Sequence, residues 1–158
     1  MSAVARAVGA PSGSVYHRFP TRAALCGALW LRTEERFQDG FLTALNGPGD
    51  EARRCVAAAL FVVGWCRDHP DQAQVLFAGA DALERADWPA DVARRHRASN
   101  RALTRAFGGF VVDPDRLHAA LVGVPYGVIR RYLTAREPIP ASADAIVTDC
   151  VRALVTTR

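Results

Sequence analysis

Proline and clustered glycine fall mostly between the periodic apolar segments of this chain, and that punctuation limits the fold to helices joined by tight connections. The breaks are Gly9-Ala10-Pro11, Pro20, Asn46-Gly47-Pro48-Gly49, His69-Pro70, Gly108-Gly109, and the pair Pro138 and Pro140. Between them apolar residues recur at helical spacing. A cap at Thr21 predicts a long helix with Leu25, Leu29, Phe37 and Leu45 on its apolar positions. A cap at Asp50 predicts a helix over 51–68, with Val56, Leu60 and Val63 as its stripe and Phe61 and Trp65 beside it. Short helices are expected over 2–8, over 13–19 after a cap at Ser12, and over 71–78 after Asp71. Pro89 suits the first turn of a helix to about residue 107 with arginines on its outer side. A helix opened by Pro114 and Asp115 has Leu117, Leu121, Val124, Val128 and Ile129 as apolar positions, and Pro125 inside it predicts a kink. Ser142 is expected to cap a final helix to about residue 156, while 79–88 reads as loop or broken turn. Alternation with period two does not persist, and Phe110-Val111-Val112 is too short to make a strand. The expected fold class is all-α.

With 158 residues, half of them hydrophobic and 23% charged, the chain has the balance of a folded domain rather than a disordered one. The longest apolar run, 56–65, is well short of the ~18 residues a spanning helix needs. Arg6 interrupts the N-terminal apolar stretch, which lacks the order of a signal peptide. No membrane association is expected, and the location expected is cytoplasmic. Of the four cysteines, Cys26, Cys55, Cys66 and Cys150, no two form C-x-x-C and none has a histidine at ligand spacing. They are expected to be small buried hydrophobes, with no metal and no cofactor bound.

Charge is distributed unevenly. All twenty basic residues are arginine, and Arg6, Arg18, Arg22 and Arg32 precede the first acid, Glu34. The remaining sixteen arginines are matched by sixteen acids, so the net charge of +4 resides in residues 1–33. A basic cap on a neutral body is the footprint of a phosphate-backbone binder.

The stretch 2–22 has the makings of a helix-turn-helix. Gly9 is placed for a left-handed cap, Ala3 and Ala7 allow close crossing, and Val4, Val8, Val15 and Phe19 supply apolar faces. The second helix then exposes Ser12, Gly13, Ser14, Tyr16, His17 and Arg18, hydrogen-bonding and basic groups with no acid among them. Short donors near a helix start can reach base edges or phosphates, and aromatic and basic groups can hold the backbone. The bland alternatives are Tyr16 packed under the turn and His17 and Arg6 as solvated surface.

The run from Gly9 to Arg22 resembles the tetracycline-repressor (TetR) family of transcriptional regulators. A glycine-containing turn is followed by a small-residue helix start, an apolar-Tyr pair (Val15-Tyr16), Phe19, and a capping Thr21 with basic Arg22. The resemblance implies that Ser12, Gly13 and Ser14 approach DNA, that Tyr16 and His17 touch backbone or base edges, and that Arg22 binds phosphate. The family often has His or Tyr directly before the Phe; here Arg18 holds that place, with His17 one earlier. The family's DNA-binding domain has a further helix ahead of the position of Ser2. The expectation is therefore a partial helix-turn-helix over 1–32, lacking its first helix because the chain begins too late, and a helical ligand-binding and dimerisation domain over 33–158.

The resemblance further implies a small-molecule effector held in the helical body, a homodimer formed through the last two helices, and action as a repressor on operator DNA. Candidate effector residues are Phe61, Trp65, Phe77, Trp88, Phe107 and Tyr126, all of which can equally be ordinary core. His96, His118 and Arg130 are candidate polar contacts or plain surface. The dimer face is expected to use Val122-Gly123-Val124-Pro125 with Ile146, Val147, Cys150, Val151 and Leu154. The alternative is a ligand-binding helical dimer that does not bind DNA. The chain is not read as an enzyme. It has no G-x-S-x-G, H-E-x-x-H or phosphate loop, and the helical neighbours Cys66 and His69, near Asp68, are a weak candidate for an activated thiol.

Overall fold

Each proline or glycine break within the described region places a connection between helices. The computed structural model describes Arg6 and residues 12–156. The turn at Gly9, and Ala3, Val4, Ala7 and Val8 of the first expected helix, lie outside the described residues, as does the side chain of Ser12. Among the described residues the elements are α1 (Ser12–Arg18), α2 (Arg22–Leu45), α3 (Glu51–Asp68), α4 (Pro70–Ala78), α5 (Ala90–Phe107), α6 (Pro114–His118), α7 (Val124–Ala135) and α8 (Ser142–Val155), with no strand. Two 3₁₀ turns, Asp81–Leu83 and Arg85–Asp87, connect α4 to α5, and a π turn, Ala119–Gly123, connects α6 to α7. The fold is all-α.

Local chemistry explains most of the boundaries. Thr21 Oγ1 accepts from the Ala24 amide at 3.0 Å, and Asp50 Oδ1 from the Arg53 amide at 2.8 Å, each satisfying an orphan donor of a helix start. Asp113 does the same for Asp115 and Arg116 at the start of α6. Three expectations shift. Helix α4 begins at Pro70 rather than Asp71, Pro89 sits just before α5 rather than in its first turn, and Ser142 is the first residue of α8 rather than its cap. The start of α8 is closed by main-chain bonds instead, from the Ala143 and Asp144 amides to the carbonyls of Pro140 and Ala141. Proline 125 has no N–H to return to the preceding turn, and the strain expected as a kink is taken up in the π turn ending just before α7.

The chain has no lysine, and arginine forks serve as cross-braces to helix ends. Arg54 Nε donates to the carbonyl of Leu45, the last residue of α2, at 2.8 Å, with its guanidinium over the Phe110 ring. Arg116 donates to the carbonyls of Ala153 and Leu154 near the end of α8. Arg67 holds the connection before α8 through Ile139 O, Pro140 O and Asp144. In the first two cases a cation meets carbonyls at a helix C-terminus, where intrahelical donors run out.

The main core lies where α3 crosses α8. Helix α3 buries Cys55, Ala58, Ala59, Val63, Trp65 and Cys66, and α8 buries Ala143, Val147, Val151 and Val155. The expected α3 stripe is thus rotated: Val63 is buried, whereas Val56 and Leu60 are only half-buried. Small residues at Cys55, Ala58 and Ala59 let the two backbones approach, and that approach fixes which face turns inward. Helix α2 likewise buries Ala23, Ala24, Gly27, Trp30, Leu31, Phe41 and Leu45, while Leu29, expected inside, is exposed. At Gly40 an added Cβ would lie 2.4 Å from the Phe61 ring, so the phenyl occupies the space glycine leaves. Of the cysteines, Cys55 and Cys66 are buried as expected, Cys26 is half-buried, and Cys150 is exposed. No helix among the described residues is long and apolar enough to cross a membrane.

Candidate functional site

Two places collect the candidate residues, and α2 runs between them. The first is the surface formed by α1 and the start of α2. Gly13, Ser14, Tyr16, His17 and Arg18 are exposed on α1, while Val15 and Phe19 are half-buried. Thr21 caps α2, and Arg22 follows as its first residue with no acid in that first turn. The Arg18 guanidinium lies 5.8 Å from the centre of the Phe19 ring. Arg22, the expected phosphate binder, reaches Glu84 at 3.3 Å with its own side chain largely exposed. Glu84 lies between the two 3₁₀ turns at φ 61°, a left-handed conformation uncommon for a residue with a Cβ. Nothing in the charge pattern of the sequence foreshadowed that pairing, because Glu84 is sixty-two positions downstream.

Beside this surface, α2 and α5 enclose a polar cluster that the sequence did not reveal. Glu34 Oε2 meets His96 Nδ1 at 2.8 Å, and both residues are buried. Asn100 meets the other imidazole nitrogen at 3.2 Å, and Ser99 Oγ donates to Gln38 Oε1 at 2.6 Å. His96 is therefore not a surface residue. Burial pushes the Glu34 carboxyl above its ordinary value, and the adjacent His96 opposes that rise. Trp30 and Trp88 wall the cluster, with ring centroids 6.2 Å apart, and the Trp30 indole joins His96 in opposing the rise at Glu34. Gly27 permits this closeness: an added Cβ would stand 3.0–3.1 Å from Val92 and Trp88.

The second place is a cleft of about 150 Å³ among α2, α3, α4 and α7. Trp65, Phe77 and Tyr126 line it, as expected of three of the six aromatic candidates. Phe37, Ile129 and Leu133 also line it and were not anticipated as effector contacts. Phe77 and Tyr126 stack at 5.8 Å between centroids, and Phe37 meets Trp65 edge-on at 5.1 Å. The other three candidates lie elsewhere. Trp88 belongs to the Glu34 cluster, with its indole donating to Leu83 O at 2.7 Å. Phe61 packs on Gly40, and Phe107 packs on Phe41, both against the main core. His118 and Arg130 are exposed and outside the cleft lining.

Cys66 forms part of the cleft wall, and burial pushes its thiol up to about 12, so it stays protonated near neutral pH. His69 is exposed, with its ring centre 5.4 Å from that of Trp65, and a buried, protonated thiol does not suit the activated-thiol role.

The expected dimer face divides in two. Pro125, Val147 and Val151 point into the protomer core. Val122 and Ile146 are 40% and 48% exposed, Gly123 and Cys150 are exposed, and Val124 and Leu154 are half-buried. Comparison of the chain with models of known protein families, with characterised proteins and with solved structures finds no match in any of the three.

Proposed function

We propose that this protein is a cytoplasmic transcriptional regulator of the TetR type, a repressor that binds operator DNA through α1 and the start of α2 and responds to a small-molecule effector in the four-helix cleft. What carries the proposal is one continuous helix: α2 begins at Arg22, beside the acid-free exposed surface of α1, and contributes Phe37 to the cleft. A change in the cleft is thereby tied to the orientation of the basic surface by a rigid element. Ser14, Tyr16, His17 and Arg18 would contact base edges and backbone, with Ser12 and Gly13 allowing close approach, and Arg22 would take a phosphate. The exposed apolar residues Val122 and Ile146 suit a symmetric contact between two copies, as paired half-sites require.

The second reading is a helical ligand-binding dimer that does not bind DNA, and the Arg22–Glu84 ion pair favours it by occupying the expected phosphate binder. An exposed pair of this kind contributes only about 0–1 kcal/mol, so a DNA phosphate can replace Glu84 at low salt, where counterion release contributes most. Gel-shift titration of the full chain against duplex DNA flanking its own gene separates the two. Retarded, salt-sensitive complexes are expected; no complex at low salt would leave the second reading.

A further inference from the structure

We infer that the cleft among α2, α3, α4 and α7 takes a small, flat, uncharged aromatic molecule of one or two fused rings. This rests on the proposal that the cleft is the effector site and adds the ligand's chemical class. Its size sets the first limit. A volume of about 150 Å³ is below the usual range for drug-sized ligands. An enclosed cavity of that volume admits a benzene-sized guest; this one is open beside the half-exposed Tyr126, which leaves a second fused ring room to project. A larger ring system would have to part the stacked Phe77 and Tyr126 rings.

The lining sets the second limit. Among the described residues no charged side chain lines the cleft, and Tyr126 and Cys66 are its main polar-tipped members. A carboxylate or phosphate placed there would lose its hydration with no cation to meet it. A quaternary cation would meet ring faces, but those recover only a small part of the lost hydration without a counter-charge. Cys66 is held as a neutral thiol by burial, so it acts as a polarisable wall beside Trp65 and not as a nucleophile toward the guest. What remains is apolar area and ring stacking on Trp65 and Phe77, with Ile129 and Leu133 closing the inner side.

The test is calorimetric titration of the full chain at pH 7 with three probes of one size: 2-naphthol (neutral), 2-naphthoate (anionic) and N-methylquinolinium (cationic). The expected result is one 2-naphthol per chain, with the two ions at least a hundredfold weaker. Val62→Phe, which fills the cleft from α3, and Phe77→Ala, which removes one ring, should each weaken 2-naphthol at least tenfold. Circular dichroism is used to confirm that each variant keeps its helix content, and either variant alone suffices. Binding of either ion as tight as 2-naphthol, no binding of 2-naphthol to the folded chain, or a folded variant that binds it unchanged would overturn the inference. DNA binding is measured separately. Selective 2-naphthol binding that leaves DNA affinity unaltered supports the ligand class while removing the regulatory role.

Discussion

Two parts of α2 are packed by different chemistry. The apolar part, its last turns, buries Phe41 and Leu45 in the main core, with Phe37 stacked on Phe41. The polar part, the middle turns around Glu34 and Gln38, is held to α5 through His96 and Ser99, between two tryptophans. Apolar packing is nondirectional and indifferent to pH, whereas a buried polar cluster holds one geometry and depends on its protonation state. The part nearer the basic surface is thus the more conditional one, and the C-terminal end the less so.

The largest effect that would sharpen the contrast is expected from the apolar part. Phe41→Ala removes a buried phenyl and should lower the unfolding free energy by about 3–5 kcal/mol, read from urea denaturation, with little dependence on pH. A loss under 1 kcal/mol would mean that this end of α2 is not anchored by its core.

A smaller loss, about 1–3 kcal/mol, is expected for Glu34→Ala, which leaves His96 buried without its partner. Here the pH dependence discriminates. The folded-state pKa of Glu34 is raised above the ordinary 4.5 by burial. The folded state then binds the proton more tightly than the unfolded state. The stability this group contributes is fully present below pH 4.5 and is lost as pH rises through the raised folded value. Glu34→Gln should flatten that part of the stability profile, measured as the urea midpoint across pH 4–8. An unchanged profile would place the pH sensitivity elsewhere.

The smallest effect on stability, within about 1 kcal/mol, is expected from Glu84→Gln, which releases Arg22. Its effect on DNA should be larger: tighter binding at low salt, measured by fluorescence anisotropy. Equal affinity would show that the Arg22–Glu84 pair does not compete with phosphate.

Much of this arrangement was legible in the sequence, and the reasons differ by element. Thr21, Asp50 and the Pro-Gly breaks marked helix ends because capping and backbone restriction act locally. The inward faces of α2 and α3 were not legible, since Leu29 is apolar yet exposed while Cys55, Ala58 and Ala59 carry the closest packing. Which face turns inward is decided by the partner helix. Trp65, Phe77 and Tyr126 converge as anticipated, but Trp88 does not, because the 3₁₀ turns after α4 carry it toward Gly27 and His96. The Glu34–His96 and Arg22–Glu84 contacts each join residues about sixty positions apart, and single-chain periodicity carries no signal for such pairs.

The central claim, that α1 and the start of α2 form a DNA-binding surface, is tested most directly by the salt dependence of binding. Anisotropy of a labelled duplex containing the gene's upstream sequence is followed across salt for the full chain, Arg18→Ala and Arg22→Ala. The account predicts that log affinity falls linearly with log salt, and that each substitution reduces the slope by about 1. A slope near zero for the parent chain, or the same slope in all three proteins, would contradict it.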